Sequence, residues 1–184
     1  MGFFQKIQSS DVFIVLDNVK FRKNYFQNRN KVLLKSGKDE WITVQVGKEA
    51  SSQKINEVKA KWNNMHKRKL LQKIYQNFDF DASEIYSHEK LIDINMASIN
   101  WAFDILKIKT SVVFASDLNV PGSKSELLSN LIREVGGTTY ISGPSGKDYL
   151  DLSYFNEIDV EFFQPQVNNY YSCLYNLLNN KENL

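Results

Sequence analysis

Between Lys23 and Asn30 the chain gathers Lys23, Asn28, Arg29 and Asn30, its densest polar cluster. Arginine offers a planar fork that matches a phosphate bidentately, and lysine a compact point charge. Asparagine both donates to and accepts from hydroxyls. A nucleotide diphosphate-sugar or sugar phosphate requires that mixture: cations for the phosphates, neutral amides for the sugar. Phe21, Tyr25 and Phe26 lie among these residues and supply rings on which a base or sugar can stack. The same pattern also suits a solvated edge strand whose lysines guard against aggregation.

Two further groups carry chemistry. Asp17 follows the apolar run Val12–Leu16 (VFIVL), where a buried strand leaves its sheet and ligands of open parallel sheets collect. A carboxylate there serves as a general base or holds a sugar hydroxyl; the competing reading is an Asx turn that stops the strand. The segment Ser142-Gly143-Pro144-Ser145-Gly146-Lys147 invites comparison with a P-loop and fails it, because Ile141 stands at the first glycine's place and Asp148 follows the lysine. A strand ending in a glycine loop before a helix still presents backbone N–H groups to an anion. Ser142, Gly143 and Lys147 are therefore candidate substrate contacts, with a purely structural turn as the alternative.

His66 and His88 are the two histidines. His66 follows Trp62 by four residues, so on one helix they share a face; packing on tryptophan and a role as general acid or base are the two readings. Ser142, His66 and Asp17 can be drawn as a hydrolytic triad, but the G-x-S-x-G turn is missing. Cys173 is the single cysteine, and no His, Cys or carboxylate spacing suits a metal. No metal or cofactor is expected.

These residues need elements to hold them. Val12–Leu16 and Ser111–Ala115 (SVVFA) read as covered strands. Lys31–Leu34 and Trp41–Val46 flank the turn Ser36-Gly37-Lys38-Asp39 and predict a hairpin. Met65, Leu70, Leu71, Ile74, Tyr75 and Phe78 trace one helical stripe; Leu91, Ile94, Ser98, Trp101, Ile105 and Ile108 trace a second, ending near Thr110. A third helix carries Leu127, Leu128, Leu131, Ile132 and Val135 and stops at Gly136-Gly137. Thr138–Ile141 and Ile158–Phe163 close the strand list. Alternating strands and helices predict an α/β fold: a mostly parallel sheet with helices on both faces and a β-hairpin. A chain of 184 residues fits one domain spanning 1–184.

Composition excludes several classes. With 42% apolar and 24% charged residues the chain is globular rather than disordered. A net charge of +2, with acids among the lysines, argues against a nucleic-acid partner. The lone cysteine fits a reducing, cytoplasmic compartment. No apolar run approaches a membrane span, so membrane insertion is not expected. The opening MGFFQKIQSSD lacks a signal peptide's apolar region, and Lys6 stands where myristoylation requires Ser or Thr.

Two segments carry a family resemblance. DVFIVLDNVKFRKNYFQNRNKV (Asp11 to Val32) and GGTTYISGPSGKDYLD (Gly136 to Asp151) resemble the WbqC-like family, as do the spacing Trp62, His66, Leu70, Tyr75 and the run ILKIKT. The likeness spans most of the chain. Family members open with a strand bearing Gln-Pro, which is absent here, so Met1 reads as an internal start and the fold as N-terminally truncated. Tyr175 stands where the family's closing segment has an Asp. The resemblance implies an association with bacterial O-antigen and related surface-polysaccharide synthesis.

Together these readings lead to a transferase-type enzyme acting on a nucleotide-activated or lipid-linked sugar. Its expected substrate contacts are Lys23, Asn28, Arg29, Asn30, Ser142, Gly143 and Lys147, with Asp17 and His66 as catalytic candidates. The alternative is a non-catalytic binding or scaffold protein of a glycan-assembly complex, with a homo-oligomer or an assembly protein as partner, or an inactive fragment.

Overall fold

A computed structural model describes residues 1–179. Its contacts group into two compact units: a parallel-strand unit of Gly2–Asp17 and Lys109–Asn168, and a hairpin unit of Asn18–Ile108 with the segment from Asn169.

In the parallel-strand unit, α1 (Gly2–Gln8) buries Phe4 and Ile7. β1 (Val12–Val15) pairs in parallel with β4 (Ser111–Phe114), Val12 opposite Ser111 and Val15 opposite Phe114. Parallel pairing demands a long crossover, and here the hairpin unit's main segment fills it. β4 runs directly into α4 (Ala115–Leu118). The next helix, α5 (Lys124–Glu134), buries Ser125, Ser129 and Leu131, and Gly136 at φ +68 ends it. β5 (Thr139–Ser142) pairs in parallel with β6 (Asp159–Phe162) across two 3₁₀ turns, Pro144–Asp148 and Leu152–Phe155.

In the hairpin unit, β2 (Arg29–Leu33) and β3 (Asp39–Thr43) are antiparallel, with Gly37 at φ +78 in the turn. Val32 and Ile42 form the inner face and pack with Ile74, Phe78 and Ala82. The first two of those belong to α2 (Asn64–Phe78), which the Asn63 side chain caps by accepting from the His66 N–H at 2.8 Å. Its buried stripe is narrower than expected: Met65 and Tyr75 are 61% and 58% exposed. α3 (Leu91–Leu106) buries Leu91, Ile92, Ile94, Ala102 and Phe103 and ends at Lys107 in the left-handed conformation, three residues before Thr110. A sixth helix, α6 (Cys173–Asn179), was not expected from the sequence. The Ser172 N–H before it donates to the Lys31 carbonyl at 2.7 Å, and Leu174, Tyr175 and Leu178 pack on the hairpin's core.

The fold is α/β with mostly parallel strands and an antiparallel hairpin, as the sequence indicates. Lateral pairing differs: the strands form three two-stranded ladders among the described residues instead of one sheet. An apolar run reports that a strand is covered, not which strand it pairs with. No helix among the described residues is long and apolar enough to cross a membrane.

Candidate functional site

Successive strand residues point to opposite faces. With Val32 and Ile42 turned to the core, Arg29 and Lys31 occupy the outer face of the hairpin together with Trp41. The Arg29 guanidinium lies over the Trp41 ring, 4.2 Å from its centroid. Its Nε is buried and has no hydrogen-bond partner among the described residues. The guanidinium is thus held against Trp41, with its donors uncommitted among the described residues. Phe26 leans on Trp41 at 6.2 Å, Tyr25 meets Phe26 edge-on at 5.6 Å, and Arg22 covers the Tyr25 ring at 4.6 Å. Tyr25, Phe26 and Trp41 are 49%, 63% and 38% exposed. Beyond this strip Lys31 pairs with Asp39, to which the Tyr171 hydroxyl donates at 2.6 Å. Lys31 first, then Tyr171, holds the Asp39 carboxyl below its ordinary range.

Asn28 belongs to the scaffold of this face. It is buried, its amide donates to the Val44 carbonyl at 3.1 Å, and its side-chain oxygen accepts from the Asn24 N–H at 3.1 Å. Asn24 adopts φ +60 in the turn that this closes. Lys23 is exposed on the turn, and its charge reaches Glu49, which Lys61 approaches at 3.1 Å. Asn30 is exposed but points away from Arg29, because β2 starts at Arg29 rather than Lys31 and the pleat divides the two neighbours.

His66 lies in the first turn of α2, exposed, with Nδ1 2.8 Å from the Gln45 side-chain oxygen. Trp62 precedes the helix and meets Tyr86 edge-on at 6.0 Å, so the helical face proposed for Trp62 and His66 does not form.

The remaining candidates belong to the parallel-strand unit. Asp17 is 4% exposed at the exit of β1 and accepts two hydrogen bonds from Ser116, from its N–H at 3.0 Å and its hydroxyl at 2.7 Å. The carboxylate therefore caps α4 where that helix leaves β4. Ser142 ends β5 fully buried, its hydroxyl donating to the Gly143 carbonyl at 3.2 Å. Gly143 leads into the 3₁₀ turn Pro144–Asp148, the expected strand–glycine–helix passage. Lys147 is exposed, with its ammonium 5.4 Å from the Phe162 ring centroid.

Trp41 and Arg22 are not among the site residues that the sequence singles out. A signal for them existed: residues 20–73 hold 15 of the 23 Lys and Arg but 4 of the 21 Asp and Glu. That segment carries net +11 against −9 for the rest, so the small total charge conceals a strong segregation. Those four acids are engaged. Lys31 holds Asp39, Lys73 holds Glu40, Lys61 approaches Glu49, and Glu57 accepts from the Lys54 N–H at 2.9 Å. Among the described residues, three or more His, Cys, Asp or Glu do not gather as a metal site would require.

The uncharacterized protein Rv1507c of Mycobacterium tuberculosis is 29% identical over 177 residues, covering 86% of this chain and 74% of the relative. No solved structure matches. The WbqC-like protein family matches residues 1–177, nearly the whole chain that builds both units; this chain belongs to that family.

Proposed function

We propose that this protein acts in bacterial surface-polysaccharide biosynthesis, where it binds a phosphate-bearing sugar, nucleotide-activated or lipid-linked, for a transferase-type reaction. The observation that carries the reading is Arg29. A guanidinium stacked on Trp41, with an Nε that no described residue satisfies, is a fork set to receive an anion through its terminal N–H groups. Lys23 adds charge from the neighbouring turn, while Asn28 positions that turn. The glycan context rests on the family resemblance carried by the Asp11–Val32 and Gly136–Asp151 segments.

Asp17 acts by fixing the start of α4, since both its oxygens are committed to Ser116. A thermal-shift panel of sugar nucleotides and hexose 1-phosphates tests the proposal. A ligand present at about a hundred times its Kd stabilises a protein by about 2.7 kcal/mol. A clear rise in Tm with members of that panel is expected; a flat panel at millimolar ligand contradicts it.

A further inference from the structure

The strip Arg22–Tyr25–Phe26–Trp41–Arg29 has features that phosphate binding does not use. Phe26 is 63% exposed and Tyr25 49%, an apolar surface beside cations rather than a lone exposed ring. Two of the three rings already have a guanidinium over a face, and each packs on the next. Stacking on nucleic-acid bases needs open ring faces, whereas the headgroup region of a bilayer takes exposed aromatic side chains with cations beside them. The surrounding segment has net +11 with its acids engaged, so no acid of its own is left for Arg22 or Arg29.

We infer that this strip docks the hairpin unit on an anionic lipid bilayer, Phe26 and Tyr25 entering the interface while Arg22 and its neighbours meet lipid phosphates. The inference rests on the sugar-phosphate reading in one respect: it selects the lipid-linked form of the substrate, delivered at the surface where Arg29 waits. Membrane attachment is then peripheral and electrostatically reversible.

Co-sedimentation of the full chain with vesicles tests this. Binding is expected to mixed phosphatidylglycerol–phosphatidylcholine vesicles, to be absent with pure phosphatidylcholine, and to fall as salt is added. Phe26→Ser should weaken partitioning about tenfold. Arg22→Glu should weaken it at least about fivefold. Neither residue is assigned to the phosphate site, and an unchanged melt shows that each variant is folded. Absence of vesicle binding by the wild type, equal partitioning of folded Phe26→Ser, or tighter binding to single-stranded oligonucleotide than to vesicles would each overturn the inference. The hexose 1-phosphate melt run alongside separates the two claims. A shift without vesicle binding removes only the docking surface, and vesicle binding without a shift removes only the sugar-phosphate reading.

Discussion

Asp17, at the exit of β1, holds Ser116 in the first turn of α4 by two hydrogen bonds, one to each carboxylate oxygen. The residue that the sequence offers as a general base is thus a buried clasp between the ends of the paired strands β1 and β4. Bonds to a charged group are worth roughly 1.5–3 kcal/mol each. Asp17→Ala should cost about 3 kcal/mol in urea unfolding, and Asp17→Asn about half, because one acceptor survives. A normal melt with abolished turnover would instead assign Asp17 the catalytic role.

Trp41 fixes the direction of Arg29. A cation–π contact of this kind is worth about 0.5–1 kcal/mol where exposed, so Trp41→Leu should change stability by less than about 1 kcal/mol. The same change should weaken sugar-phosphate binding several-fold, since the guanidinium loses its anchor. Calorimetric titration beside a melting curve separates the two effects.

Gly146 allows the loop after β5 to close. A Cβ at that position would stand 2.0 Å from the Ser142 hydroxyl, which is itself fully buried. Gly146→Ala should destabilise by roughly 1–3 kcal/mol. The double variant Ser142→Ala with Gly146→Ala should recover part of that loss, a coupling that a double-mutant cycle reads directly.

Burial pushes the Cys173 thiol up to about 11. The folded chain then binds the thiol proton more tightly than the unfolded chain does. This contribution to stability is complete below the unfolded thiol's pKa and is lost as pH rises through about 11. Native Cys173 should react slowly with thiol reagents near neutral pH and rapidly once unfolded. Cys173→Ala should flatten the alkaline end of the stability profile.

Local chemistry made much of this architecture legible. Alternation around Gly37 announces the hairpin, and the Val12–Leu16 run announces β1. Other features depend on partners remote in sequence. The direction of the Asn28 amide is decided by Val44, sixteen positions on, and α6 is seated through Lys31 and the hairpin core. A two-residue difference in where β2 begins decides that Arg29 and Asn30 face opposite ways. Charge segregation was legible too, but only when counted by segment, because a total of +2 averages it away.

Arg29 carries the account, and isothermal titration of a hexose 1-phosphate or sugar nucleotide into wild type, Arg29→Lys and Arg29→Ala tests it most directly. A bidentate fork lost to a point charge, or to nothing, should weaken binding at least about tenfold in both variants, with the fold intact. Equal affinity for all three proteins would contradict it.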